Sequence, residues 1–166
     1  MKAPFFTTGE YEEKTMGRRE LRESIFQLLF MTEFNDNQEM AEQKQLYLET
    51  IEDIQEKDQS YIQEKYEKIR EKLPEIDAAL NEASKGWKTS RMGKVELSIL
   101  RLAVYELRYD DDVPGKVAIN EAVELAKKFG GSEAPAFING VLGKLAKDRK
   151  STRLNSSHHF ISYAVF

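Results

Sequence analysis

Over residues 95–107, V-E-L-S-I-L-R-L-A-V-Y-E-L, apolar positions recur so densely that on a helix they cover an arc of roughly 220°, far wider than the stripe of a surface helix. The pattern predicts a central helix, with Ser98, Arg101 and Arg108 on its solvent face, Glu96 inside the apolar arc and Glu106 near its edge. A carboxylate at Glu96 needs a donor or a partner chain, because an unpaired buried charge is costly. The alternative is a first-turn Glu facing the free N–H groups of the helix N-terminus. Upstream, Leu21, Ile25, Leu28 and Leu29 keep helical spacing, and Phe26 and Phe30 widen their stripe, which predicts an amphipathic helix over about 18–33. After a polar break at 35–37, Leu46, Tyr47, Ile51 and Ile54 suggest a second helix, and Ile62, Tyr66, Ile69 and Leu73 a third. Pro74 opens a fourth at a tolerated first-turn position, burying Ile76, Ala79, Leu80 and Ala83 and stopping at Gly86.

Trp87, the only tryptophan, reads as a core plug between two helical halves, with base stacking as the alternative. Beyond the central helix, Asp110, Asp111 and Asp112 form an acidic turn, read as a cap at Asp112 rather than a cation site, since no calcium-loop spacing follows. In helix 114–129, Ala118, Ala122 and Ala126 stand at every fourth place and permit close approach to the central helix. Gly130 supplies a left-handed stop, and Ser132 caps a final helix over about 133–147. Gly140 and Gly143 inside that helix cost up to about 1 kcal/mol each relative to alanine, which suggests a second backbone passing close by. The fold class is all-α: two packed small helical bundles of about seven helices, with halves over 16–86 and 87–150. Residues 1–15 read as a disordered extension, with Met16 as an alternative start. Residues 151–166, STRLNSSHHFISYAVF, break every preceding pattern and read as a non-native tail resembling sequencing-adapter read-through.

Composition narrows the chemistry. The 166 residues are 40% hydrophobic and 33% charged, as in a globular protein rich in surface helix. No apolar run approaches the roughly 18 residues of a membrane span, and the N-terminus lacks a signal pattern, so a cytoplasmic protein is expected. There is no cysteine, and both histidines, His158 and His159, fall in the discounted tail. The folded body therefore lacks the usual zinc ligands and the commonest general base, and no metal or cofactor is expected. No phosphate-binding glycine motif is present, and Glu121 and Glu124 read as solvated charges rather than paired catalytic carboxylates. Binding is a better class than catalysis. Residues 36–85 carry a net charge of −7 and residues 86–150 carry +3, so any RNA binding must rest on a local basic patch.

Two features offer such a surface. Arg18, Arg19 and Arg22 crowd the first turns of the first helix, where cations oppose the helix dipole at about 0.3–1 kcal/mol each. An anion such as phosphate would favour them there, and ordinary pairing with Glu20 and Glu23 is the alternative. Phe129 and Phe137, near the polar Asn139, are either core residues or platforms for unpaired bases.

The runs V-E-L-S-I-L-R-L-A-V-Y-E-L, V-P-G-K-V-A-I-N-E-A-V-E-L-A-K-K-F-G and F-I-N-G-V-L-G-K-L, in this order and spacing, closely resemble the bacterial NusB transcription antitermination family. The N-terminal R-R-E-L-R-E-S-I-F-Q-L-L-F matches the family's arginine-rich first helix, and together these segments cover about 17–150. The resemblance implies a non-catalytic factor that binds boxA RNA of nascent ribosomal RNA transcripts together with NusE, a small-subunit ribosomal protein. With other Nus factors and RNA polymerase engaged indirectly, it would suppress premature termination. Carried over by position, Arg18, Arg19 and Arg22 would meet RNA phosphates; Gln27, Phe30, Phe129, Glu133, Phe137 and Asn139 would line the RNA surface; Glu96 would face NusE. Phe30 stands where many members have tyrosine, which leaves stacking without a hydroxyl contact, and Leu21 stands where a small residue is common. The resemblance extends to homodimers that occlude the RNA surface, which makes self-association through the Glu96 face a further reading. The related RNA-binding module of ribosomal RNA cytosine methyltransferases is the rival, and it would require a cofactor-binding domain downstream.

Overall fold

The computed structural model describes residues 15–147, which form seven α-helices and one short 3-10 turn, with no strand among the described residues. In chain order the helices are α1 (Arg18–Thr32), α2 (Asn37–Glu49), α3 (Glu56–Glu71), α4 (Leu73–Ala83), α5 (Lys94–Tyr109), α6 (Gly115–Phe129) and α7 (134–147), with the turn Thr89–Arg91 before α5. All of the N-terminal extension except residue 15, the whole tail 151–166 and residues 148–150 lie outside the described residues. The chain divides into two compact units between Arg70 and Glu71.

In the first unit, α1 packs on α2, and the core holds Ile25, Phe26, Leu28, Leu29, Met40, Leu48, Ile62 and Ile69. Tyr66 is fully buried, yet its hydroxyl is satisfied by Thr32 Oγ1 at 2.6 Å, which ties α3 to the end of α1. At the opposite end of α3, the buried Asp58 accepts the Met16 N–H at 2.9 Å and so anchors the lead-in to α1. The second helix differs from its expected position. It begins at Asn37, because Asp36 and Glu39 cap each other's backbone N–H groups at 2.8 Å; the polar stretch read as a break is a capping box. It ends at Glu49, so Ile51 and Ile54 belong to the connection, where Asp53 adopts a left-handed φ of 54°.

In the second unit, α5 is buried on almost every side, from Leu97 through Leu107 with only Arg101 left partly open. Its extended contact with α6 runs along fully buried Ala118, Ala122 and Ala126, whose small side chains let the two backbones approach. The helix α4 also packs on α5 and falls within this unit. Arg101 spans α5 and α4 with a two-pronged ion pair, Nε to Asp77 Oδ1 at 3.0 Å and a terminal nitrogen to Oδ2 at 2.8 Å.

Several local expectations fail for steric or hydrogen-bonding reasons. Ser98 is not on a solvent face: it is fully buried, and its hydroxyl donates to the Lys94 carbonyl at 2.8 Å. Glu106 is likewise buried, within the apolar arc rather than at its edge. Trp87 is no core plug, being 48% exposed. The cap of α6 is Pro114 rather than Asp112, whose N–H instead donates to Asp110 Oδ1 at 3.0 Å to close the preceding turn. Gly130 is extended at φ −100°, not left-handed; glycine is needed because a Cβ there would lie 2.7 Å from Ala134 Cβ and 2.9 Å from the Ala126 carbonyl oxygen. Left-handed geometry occurs at Gly86 (φ 80°), past the end of α4. Ser132 lies in the turn before α7, which starts at residue 134 with the Ala134 N–H on the Gly131 carbonyl at 3.1 Å. Gly140 and Gly143 face open space, where a Cβ would meet nothing within 4 Å, so among the described residues no second backbone crosses α7 there.

Candidate nucleic-acid interface

The arginine-rich end of α1 is built on a glycine cap. Gly17 precedes the helix, and its N–H donates to Glu20 Oε1 at 2.8 Å, so Glu20 serves the helix terminus. Arg18 and Arg19 are exposed and Arg22 is half-buried one turn later, so three cations share the opening of one helix. Gln27 and Phe30 are half-buried farther along α1. Phe30 is flanked by Phe26 at 6.2 Å and Phe34 at 5.1 Å between ring centroids, which forms a ladder that runs outward from the core. Its outermost ring, Phe34, is 60% exposed. Sequence reasoning missed Phe34, although its spacing from Phe30 and Phe26 was the available signal.

The remaining candidates lie in the second unit. Glu96 is the third residue of α5, and its carboxylate folds back over the start of the helix: a Cβ at Gly93 would collide with Oε1, and one at Gly130 would sit 3.7 Å from Oε2. The half-buried carboxylate thus rests between two glycines, beside the partially positive helix terminus. This local geometry fits the first-turn alternative, and Glu96 also lines a pocket. That pocket, about 460 Å³, is lined by Trp87, Gly93, Glu96, Glu133, Ala134 and Phe137. Glu133, in the turn before α7, is exposed, and Phe137, one turn into α7, is half-buried. Asn139 is exposed on α7 outside this lining, as is the half-buried Phe129 at the end of α6, whose ring lies 5.4 Å from Lys128 Nζ.

The structure therefore brings together Glu96, Glu133 and Phe137 and adds Trp87, which the sequence pattern alone would place in the core. Arg91, in the 3-10 turn, stands 5.8 Å from the centroid of the Trp87 ring. The pocket combines aromatic walls with acceptor groups, a chemistry suited to holding and orienting a flat, hydrogen-bond-donating group. Among the described residues, no group of three or more acidic or histidine side chains is placed to hold a metal ion. No helix among them is long and apolar enough to cross a membrane.

Comparison with known proteins agrees with the fold. The profile of the NusB family matches residues 19–147. The transcription antitermination protein NusB of Lachnoclostridium phytofermentans is 52% identical over 130 residues, covering 78% of this chain and 98% of that protein. Its namesake in Agathobacter rectalis is 51% identical over 131 residues, covering 79% and 100%. Among solved structures, NusB of T. maritima superposes with a TM-score of 0.72 at 31% identity, covering 81% of this chain and 93% of that one. A structure of antitermination factors NusB and NusE in complex with double-stranded RNA gives a TM-score of 0.67 at 23% identity, covering 79% and 96%, a likeness of fold.

Proposed function

The chain belongs to the NusB family of transcription antitermination proteins, and from that premise we propose that it binds boxA RNA in the leader of nascent ribosomal RNA jointly with NusE. In the bacterial cytoplasm the pair would engage the other Nus factors and RNA polymerase and suppress premature termination. The observation that supports this reading most directly is the pocket of the second unit. There Glu133 and Phe137, to which the family resemblance gives RNA contacts, share a surface with Glu96, to which it gives NusE. In the first unit, Arg18, Arg19 and Arg22 would neutralise phosphates, the sequence-independent part of affinity, while Gln27 and Phe30 lie farther along the same helix. Phe129 and Asn139 would extend the base-contacting surface along α6 and α7.

None of these side chains is assigned covalent chemistry. Their work is to hold single-stranded RNA: cations along its phosphates, rings against its base faces and carboxylates as acceptors for base N–H groups. An electrophoretic shift experiment tests the proposal, comparing a boxA oligonucleotide with a scrambled one, with and without NusE. BoxA should shift preferentially, and more so with NusE. Equal shifts for both oligonucleotides in the presence of NusE would defeat it. Glu96→Lys should weaken NusE association while thermal stability stays within about 1 kcal/mol of the parent, as expected for a half-buried rather than a core residue.

A further inference from the structure

Resting on the RNA-binding reading above, we propose that Asp58 is a positioning residue for RNA: by holding the backbone of Met16 it fixes the first turn of α1 and so presents Arg18 and Arg19 to phosphates as one array. The tip it steadies is weak by its own sequence. Gly17, the cap, has no side chain to accept from the free N–H groups of the first turn, and the arginines there oppose the helix dipole. Glu20 is the acid of that turn, but its bond to the Gly17 N–H spans three residues and is lost with the turn whenever the helix end frays.

Asp58 supplies what that local bond cannot. It belongs to α3, 42 positions along the chain from Met16, whose N–H its Oδ2 accepts at 2.9 Å. The residue is only 5% exposed, and its helix is seated in the core of the first unit by the fully buried Ile62, Tyr66 and Ile69. A carboxylate at that depth is costly unless its charge is stabilised. Asp58 stands in the first turn of α3, where the positive end of the helix does so. With Met16 tied to α3 and Gly17 tied to Glu20, two successive N–H groups are held, which fixes the direction in which the chain enters α1. Arg18 and Arg19 follow at once. A turn already held surrenders less freedom when phosphates bind than a frayed one, so the buried clamp raises affinity without itself meeting RNA.

The test titrates labelled boxA oligonucleotide with the full chain and NusE, reading anisotropy at several salt concentrations. Asp58→Ala should weaken binding about three- to tenfold, the worth of one hydrogen bond, and flatten the salt dependence because fewer phosphates are neutralised. Asp58→Asn keeps an acceptor oxygen and should stay within about twofold of the parent. Met16→Pro removes the donor instead, at the edge of the unit, and should reproduce the loss even if Asp58→Ala does not fold. Both changes are then repeated on a protein carrying Arg18→Ala and Arg19→Ala, where the further loss should be less than about twofold, since the clamp acts through those side chains. Equal losses in both backgrounds, or a salt slope that Asp58→Ala and Met16→Pro leave unchanged, would make Asp58 a structural residue only and overturn the proposal while RNA binding by the arginines stands. Undiminished binding by both variants would overturn it as well. If the arginine changes by themselves alter neither affinity nor slope, the reading beneath falls and takes the proposal with it.

Discussion

Arg18, Arg19 and Arg22 follow one another along the first turns of α1, whereas Trp87, Glu96, Glu133 and Phe137 reach one pocket from separate stretches of the chain between positions 87 and 137. The first group is exposed or half-buried cations on a helix tip, whose fields act on any polyanion and weaken with salt. The second would act by contact, through ring faces and carboxylate acceptors, and so depend less on ionic strength. On the proposed reading, the helix tip of the first unit would supply phosphate neutralisation and the pocket of the second unit base contacts.

The sharpest test of the pocket side contrasts neighbours in α7. Ile138 is fully buried, and Ile138→Ala should cost about 2–5 kcal/mol in chemical denaturation. The half-buried Phe137 should lose less stability on Phe137→Ala, while RNA affinity falls by about 1–3 kcal/mol with an unchanged salt slope. A core-sized stability loss at Phe137 would move it out of the recognition surface. On the other side, Arg18→Ala combined with Arg19→Ala should flatten the dependence of log affinity on log salt by roughly 1.4, about 0.7 for each phosphate of a single strand that is no longer neutralised. An unchanged slope would remove the α1 tip from the interface and break the division of labour. The smallest effect is expected at Gly140, where an added methyl meets nothing: Gly140→Ala should stabilise the protein by about 0.4–1 kcal/mol. If RNA affinity drops as stability rises, the base-contacting surface continues along α7 beyond Phe137.

Much of this organisation is legible in the residue order. The wide apolar arc of 95–107 announces a buried central helix, and the spacing of Ala118, Ala122 and Ala126 announces what packs on it, because both signals are set by helical geometry alone. The arginine cluster is equally visible, since its members are sequence neighbours. What escapes is decided by tertiary context. Trp87 is large and apolar, so burial is the natural expectation, and only the packing of the second unit leaves it at a pocket mouth. Ser98 looks polar on a wheel but satisfies its hydroxyl within its own helix and is therefore free to be buried. Gly130 follows a helix, where left-handed stops are common, yet its constraint is space beside Ala126 and Ala134 rather than backbone angle. The pocket itself has no local signature, because its residues meet only after α5 and α7 have packed.

The alanine contact between α5 and α6 has a kinetic corollary. These helices are consecutive, joined by the short turn at residues 110–114, so bringing them together closes a small loop and forfeits little chain entropy. The hairpin they make is thereby suited to nucleate folding of the second unit, with α4 and α7 condensing onto it afterwards. Bulky replacements along the alanine row should consequently slow refolding rather than merely hasten unfolding.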